Sequence, residues 1–210
     1  LDVKYNNIMD SCIKNNCVKS IYFFLKKLNT YNIDNVCAEI FLPSYANRLG
    51  HNYMHKICMH GDDKNLNLVK LFNQLDNTLI NIKDNSGKTP LYYSCSLGNT
   101  KTMSLLIQLG SQTDIFDNKG WAPIHEYVLH SINDSFIFDD IEKKTQYEKY
   151  TPLMIAAKYN NVEGVEYLLS KSVNKLAVDI LGNTYMHYLM YNCDTYIDNI
   201  DIVCIENNFG

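Results

Sequence analysis

The sequence predicts an all-α protein, a solenoid of about six stacked helix-turn-helix units with irregular insertions. A pattern of glycine, Thr-Pro-Leu, small residues and paired leucines returns along the chain, and its copies begin at equivalent positions: Gly50, Gly87, Gly120, Lys149 and Gly182. The intervals between these positions are about 37, 33, 29 and 33 residues. A period of about 33 residues is typical of a repeat array.

The clearest copy runs over residues 84–116, and its residue types explain how one unit begins. Gly87 supplies the positive φ that a tight turn requires. Thr89 is placed to cap the following helix. Pro90 occupies the first helical position, where its missing N–H costs nothing. We therefore expect each unit to open with a turn, called a finger below, that leads into its first helix.

The copy that starts at Lys149 shows how the two helices of a unit meet. Ala156-Ala157 are small, so a second helix can approach closely, and Asn160-Asn161 suit the turn between the helices. Val165 and Leu168 stand three residues apart on one apolar stripe of the second helix. One unit cannot bury that stripe alone, so its stability must come from stacking on its neighbours.

We divide residues 1–210 into one array with an insertion at 29–47. Its approximate units are 1–28, 48–83, 84–116, 117–146, 147–178 and 179–210. The first unit matches the later copies only from Ile8, which leaves its finger near Tyr5 truncated, and the last takes its second helix from residues 200–208. Neither end shows the polar capping unit that arrays need for solubility, so we expect a fragment of a longer protein.

The unit at 117–146 is the most irregular. We predict its first helix over residues 124–131 and a degenerate second helix over residues 136–144. Three carboxylates lie in that second segment and could form an acid pair or hold a metal, but we expect them on the solvated face of the helix, countered by neighbouring lysines: Asp139, Asp140 and Glu142.

The repeat resembles the ankyrin repeat, and the resemblance covers nearly the whole chain. The copies GHNYMHKIC from Gly50 and GNTYMHYLM from Gly182 replace the usual Pro-Leu-His with Tyr-Met-His. With the bias toward Asn, Tyr and Ile, the irregular repeat lengths and the long insertion, they resemble the ankyrin and F-box-like host-range proteins of poxviruses.

That resemblance implies a protein-interaction module of a viral host-range or immune-evasion protein in the host cytoplasm. Its partner would be a host antiviral, interferon-induced protein. Delivery to a cullin ubiquitin ligase would need a C-terminal F-box-like segment, which we place beyond Gly210. The alternative is an ankyrin domain that senses a nucleotide or RNA.

Composition argues against a nucleic-acid-binding or membrane-spanning protein and indicates the redox compartment. The net charge of −4 gives no basic footprint for nucleic acid, so nucleic acid is an unfavoured partner. The chain has no apolar run of the roughly 20 residues that a membrane span needs. Seven cysteines without regular spacing indicate reduced thiols in a cytosolic or nuclear compartment.

Several groups of residues imitate catalytic or metal sites. The segment HNYMHKICMH offers four zinc-ligand types, His51, His55, Cys58 and His60. The ankyrin resemblance favours a structural interpretation, because it places His55, His125 and His187 where the imidazole binds groups around the turns. His187 with Cys193 or Asp194 lacks a nucleophile motif, and no glycine-rich phosphate loop is present. We therefore predict no enzyme, no metal and no cofactor.

The residue after each finger glycine is expected to point outward, onto a concave surface formed by the fingers and first helices. These positions and two neighbours are our partner-binding candidates: His51, Lys88, Asn118, Lys119, Trp121 and Asn183. Trp121 leads, because interface hot spots are enriched in Trp. The alternative is that its indole packs over the loop after Ser131.

Overall fold

The structure, a computed structural model, describes residues 9–23, 46–60, 65–130 and 138–191. Within these ranges the chain forms helices and turns without a β-strand, which confirms the all-α prediction. Residues 9–14 and 18–23 are helical. The later helices are α1 (Tyr53–Met59), α2 (Leu66–Leu75), a 3₁₀ helix (Asn77–Asn81), α3 (Pro90–Ser96), α4 (Thr100–Gln108), α5 (Pro123–His130), α6 (Pro152–Lys158), α7 (Val162–Leu169) and α8 (Tyr185–Tyr191).

The chain divides into two compact units, residues 1–112 and 113–210. In the first unit, α1 packs on α2 and α3, while α4 packs on both α2 and α3. In the second unit, α6 packs on α5, α7 and α8. Ala156 and Ala157 on α6 are fully buried, so the small residues lie where neighbouring helices approach, as predicted.

Five fingers, four of five residues and one of six, are each closed by a hydrogen bond between the first N–H and the last carbonyl: residues 47–51, 84–88, 117–121, 145–150 and 179–183. Their glycines have positive φ, at 79° for Gly50 and Gly87, 77° for Gly120 and 80° for Gly182. Lys149 has φ of 62° at the same place, although it is not glycine. The predicted equivalence of Lys149 with the glycines is therefore confirmed.

We expect Lys149→Gly to stabilise the protein by about 0.5–1 kcal/mol. A left-handed conformation costs a non-glycine residue about 1–2 kcal/mol. Glycine removes that cost but adds unfolded-state entropy, which offsets about half of the gain. Urea unfolding measures the change. Lys149→Ala is the control, because it keeps the strained φ while removing the hydrogen bond from the ammonium to the Gln146 carbonyl, and a stabilised alanine variant would contradict this explanation.

The structure confirms proline in the first turn of the helices but shows that one predicted side-chain N-cap is wrong. Pro90 and Pro152 both lie in the first turn of their helices. The Thr151 hydroxyl accepts the Met154 N–H at 3.3 Å. The Thr89 hydroxyl is buried and makes no hydrogen bond within the described part of the chain. Thr89 therefore begins its helix through its extended backbone and not, as predicted, through its side chain.

The predicted second helix at 136–144 is wrong over its described part, because residues 138–144 form bends and turns. The segment is instead held by contacts with residues from other parts of the chain. The Phe138 ring packs against Tyr127 with centroids 5.6 Å apart, and the Lys143 carbonyl accepts a hydrogen bond from the His125 side chain. The Lys144 ammonium donates to the Val178 carbonyl at 3.2 Å. Tertiary contacts therefore replace helical hydrogen bonds here.

The three carboxylates of this segment are exposed, as predicted, but on a turn and not on a helix: Asp139, Asp140 and Glu142. Glu142 accepts the backbone N–H of Asn174. Other expectations lie outside the described residues: the truncated finger near Tyr5, most of the insertion at 29–47, the loop after Ser131, and the helix at 200–208.

Candidate partner-binding surface

Each regular finger is held by the carboxylate or amide that opens it. One side-chain oxygen of that residue accepts the N–H two positions later and the N–H four positions later, which belongs to the residue after the glycine. This holds for Asn47, Asp84, Asp117 and Asp179, at distances of 2.8–2.9 Å. The residue after the glycine is thus fixed in direction. The sequence signal for this arrangement is a repeated Asp or Asn three residues before glycine, which the sequence-based prediction did not include.

Two tyrosines brace these fingers from the first helix. Tyr93 on α3 donates its hydroxyl to Asp84 at 2.5 Å, and Tyr188 on α8 donates to Asp179. Burial raises the pKa of both carboxyls. The hydrogen bonds from tyrosine and from backbone N–H groups outweigh burial, so the net pKa of each is lowered. These carboxylates are charged structural anchors, each already hydrogen-bonded.

His51 belongs to this bracing and does not point outward as predicted. Its Nε2 lies 3.2 Å from Asp84 Oδ2 and 3.2 Å from the Tyr93 hydroxyl, and its side chain is only 14% exposed. Its ring also stacks on His55, with centroids 5.9 Å apart. Its place in a partner-binding site stays a prediction, although most of its surface already faces the protein.

The helix-start histidines bind backbone groups. His55 Nδ1 accepts the Asn52 N–H at 3.2 Å, and its Nε2 donates to the Lys88 carbonyl at 3.1 Å. His125 repeats this with Ala122 at 2.9 Å and the Lys143 carbonyl at 2.7 Å. Burial lowers the pKa of His55 and His125 to about 4. Both rings are therefore neutral near pH 7. His55 joins its repeat to the next finger, and His125 joins its helix to the segment just before the next finger.

His187 adopts the same arrangement, since its Nδ1 accepts the Thr184 N–H at 3.0 Å. Cys193 and Asp194, which we considered with His187, lie outside the described residues.

The four possible zinc ligands in residues 51–60 are not arranged as a site. His55 uses both ring nitrogens on backbone groups, and burial raises the pKa of Cys58 to about 12. His60 is exposed beyond the end of α1. Within the described ranges, no group of three His, Cys, Asp or Glu residues could hold a metal ion.

Lys88 is the second candidate in the first compact unit. Its ammonium lies 4.4 Å from the centroid of the Tyr92 ring and 5.8 Å from that of Tyr93. Tyr92 is buried and Lys88 is half-buried, so the lysine ammonium lies over a buried aromatic ring. This position can present a cation to a partner.

Trp121, the leading candidate, lies in the second compact unit and is half-buried. Its ring meets His125 and Tyr159 edge-on, with centroids 6.1 Å away in each case. Tyr159 is 55% exposed, so the indole rests on a neighbour that itself faces solvent. The structure thus places the Trp121 indole against two rings and leaves part of it accessible.

A second aromatic pair, Tyr150 and Tyr188, lies beside Lys158, the residue before Tyr159. The Lys158 ammonium donates to the Tyr150 hydroxyl at 2.9 Å and lies 4.3 Å from the Tyr150 ring centroid. Tyr150 meets Tyr188 edge-on at 5.7 Å. We call this set the aromatic ridge: Trp121, Tyr150, Lys158, Tyr159 and Tyr188.

Our sequence reasoning missed every ridge member except Trp121. Tyr150 follows Lys149 as Trp121 follows Gly120, so the repeat frame could have identified it. We left it out because this copy lacks the glycine. Tyr159, Lys158 and Tyr188 lie on or beside first helices, where only the fold shows which side chains face the finger.

The other candidates divide into supporting and exposed residues. Asn183 donates its side-chain amide to Asp179 Oδ2 at 3.3 Å and to the Tyr188 hydroxyl at 3.4 Å, so it supports the ridge. Asn118 and Lys119 are exposed at the tip of their finger. They can contact a partner that also covers Trp121.

A family profile described as "Ankyrin repeats (3 copies)" matches residues 8–117, 54–136 and 128–208. The chain belongs to the ankyrin-repeat family. The ankyrin fold is a non-enzymatic scaffold that binds protein partners, and the chain is accordingly a protein-interaction module.

Relatives share this repeat over small parts of their length. Tyrosine-protein kinase HTK16 of Hydra vulgaris is 27% identical over 79% of this chain and 23% of its own length. Putative ankyrin repeat protein FPV244 of fowlpox virus is 24% identical over 77% of this chain and 25% of its own length. The chain therefore spans about a quarter of each of these relatives.

The ankyrin repeat domain of Bcl-3 has the same fold, with a TM-score of 0.66 and 14% identity over 85% of this chain and 77% of the Bcl-3 chain. This confirms the predicted ankyrin solenoid. Among the described helices, none is long and apolar enough to cross a membrane.

Proposed function

We propose that this chain is the target-binding part of a viral host-range or immune-evasion protein, and that it binds a host antiviral protein in the cytoplasm. The aromatic ridge is the observation that carries the proposal. Partly exposed tryptophan and tyrosine are among the residue types that concentrate binding energy in protein interfaces.

The viral part of the proposal is supported by the resemblance to a fowlpox ankyrin protein and by the Tyr-Met-His copies at Gly50 and Gly182. Binding alone would antagonise the host protein by occupancy. Transfer to a cullin ubiquitin ligase is a further proposal, which requires an F-box-like segment outside residues 1–210.

The ridge is suited to a protein partner because it offers aromatic surface with little positive charge. Lys158 is its one cation, and the whole chain has a net charge of −4. An RNA or nucleotide ligand would instead require neutralised phosphates. The alternative of a nucleotide-sensing domain therefore lacks support at this surface.

A pull-down from lysate of interferon-treated host cells tests the function, run with and without nuclease. We expect a host protein that is captured in both conditions and that binds directly when purified. If every captured protein disappears after nuclease treatment, the nucleic-acid alternative replaces our proposal.

Trp121→Ala should weaken that direct binding by at least about 2 kcal/mol, or about 30-fold, the scale of an interface hot spot. Because the ring is half-buried, we expect the loss of its contacts with His125 and Tyr159 to cost about 1–2 kcal/mol of stability, below the roughly 3–5 kcal/mol of a fully buried aromatic residue. Isothermal titration and urea unfolding on the same sample separate the two effects.

Tyr159→Ala should weaken binding in the same assay, since Tyr159 extends the surface beside Trp121. Tyr22→Ala is the matched control, because Tyr22 is 59% exposed, like Tyr159, but lies in the first compact unit. Equal losses for Tyr159→Ala and Tyr22→Ala, or a Trp121→Ala protein that binds as tightly as the parent, would remove the ridge from the site.

A further inference from the structure

Two cysteines of the first repeat are held side by side by the backbone. The Cys17 N–H donates to the Cys12 carbonyl at 2.8 Å, and the Asn16 N–H donates to the Ile13 carbonyl at 3.0 Å. Asn16 between them has φ of 51°. This pair of hydrogen bonds around a left-handed residue is the Schellman motif, in which a contact between the first and last residues is frequent.

Other repeats contain the same turn with different residues at these two places. Asn99 and Asn161 occupy the position of Cys17, and Ser94 and Ala156 occupy that of Cys12. The two asparagines cap the second helix by accepting the N–H of Thr102 and of Gly164. A thiol is a weak acceptor, so capping does not account for cysteine at position 17.

We propose that Cys12 and Cys17 are a redox-responsive modification site, which forms a reversible disulfide across the turn of the first repeat. A disulfide requires α-carbons about 4.4–6.8 Å apart. The backbone hydrogen bond from the Cys17 N–H to the Cys12 carbonyl, 2.8 Å long, brings the two residues together across the turn. This site lies outside the aromatic ridge, and its test does not depend on the proposed partner.

Cys12 and Cys17 differ from the other described cysteines in their exposure to solvent. Both thiols are free and partly exposed, whereas Cys58 and Cys95 are fully buried. Burial, and then the charge of the Cys17 thiolate, raise the pKa of Cys12. We assign the first attack, on the oxidant, to Cys17 and the second to Cys12.

The oxidant is a peroxide such as hydrogen peroxide. The Cys17 thiolate attacks one peroxide oxygen, the O–O bond breaks, hydroxide leaves, and the sulfur is oxidised by two electrons to a sulfenic acid. Cys12 then attacks that sulfur, the S–S bond forms, and the sulfenic oxygen leaves as water with the Cys12 proton. The sum is two thiols and one peroxide giving one disulfide and two waters, and a small dithiol reverses it.

The sequence provides a direct readout, because Lys14 lies between the two cysteines and lets trypsin separate them. The reduced chain is treated with hydrogen peroxide, its remaining thiols are blocked with maleimide under denaturing conditions, and the protein is digested. We expect one cross-linked species that joins the peptides at 5–14 and 15–19, with the Cys58 and Cys95 peptides fully labelled. Dithiothreitol should abolish the cross-linked species.

Cys12→Ser and Cys17→Ser are the paired controls. In Cys12→Ser the sulfenic acid on Cys17 lacks its partner, so a dimedone adduct should accumulate at Cys17, whereas the parent should show at least tenfold less. The proposal is overturned if peroxide leaves both thiols available to maleimide, if Cys58 or Cys95 reacts first, or if either thiol joins a cysteine elsewhere in the chain. These readouts on the parent chain do not require the variants to fold.

Discussion

Lowering the pH from 7 to 5 should destabilise the protein by about 4 kcal/mol, because His55 and His125 are buried as neutral rings. Each has a pKa lowered to about 4 by burial, against about 6.5 in an unfolded chain. At pH 5 the unfolded state binds a proton on each ring that the folded state does not. By linkage, each histidine then costs about 2 kcal/mol.

Stability falls as the pH falls because the pKa of each histidine is lower in the folded state than in the unfolded state. The contribution of each ring is fully present above about pH 6.5 and is lost as the pH falls toward about 4, where the loss reaches about 3 kcal/mol per histidine. Asp84 and Asp179, with lowered pKa, protect the fold at these pH values and lose their contribution only below about pH 4. The histidine effect is therefore separated from general acid denaturation.

Urea unfolding at a series of pH values measures this loss. Trp121 fluorescence follows the compact unit that contains His125, and far-UV circular dichroism follows both units. His125→Gln should be less stable at pH 7, since Ala122 and Lys143 lose their partner, but its stability should vary less between pH 7 and 5. A parent protein whose free energy of unfolding is the same at both pH values would show that the folded and unfolded states bind equal numbers of protons, and would contradict the lowered pKa of these rings.

Gly50→Ala should destabilise the protein by about 2–5 kcal/mol, although it adds only one methyl group. Gly50 has φ of 79°, and an added Cβ would lie 2.6 Å from the Asn85 side-chain oxygen and 2.8 Å from its backbone nitrogen. Asn85 connects two fingers by donating its backbone N–H to Leu49 at 3.0 Å. The left-handed conformation costs about 1–2 kcal/mol, and displacing that backbone adds about 1–3 kcal/mol.

Gly110→Ala isolates the conformational part. Gly110 has φ of 97°, and an added Cβ would meet nothing within 4 Å. We expect this variant to lose only about 1–2 kcal/mol. Both glycines belong to the first compact unit, so urea unfolding followed by circular dichroism compares them directly. Similar losses for the two variants would mean that the fingers at residues 47–51 and 84–88 are not in close contact.

The sequence by itself determined the repeat, its frame and the helical class. These follow from local requirements: a positive φ at Gly87, a proline that fits the first helical position at Pro90, and small residues at 156–157. Even Lys149 could be placed correctly, because the residues after it, Thr151 and Pro152, keep the frame. Such requirements act within one repeat, so the same residue types return in each copy.

Only the tertiary structure decided which side chains are available to a partner. His51 and Trp121 both follow a finger glycine, yet His51 is held between Asp84 and Tyr93, whereas Trp121 rests on the exposed Tyr159. Residues 138–144 likewise form turns because partners distant in sequence bind their backbone and bury Phe138. Burial depends on neighbours from other units, and a repeat pattern describes one unit at a time.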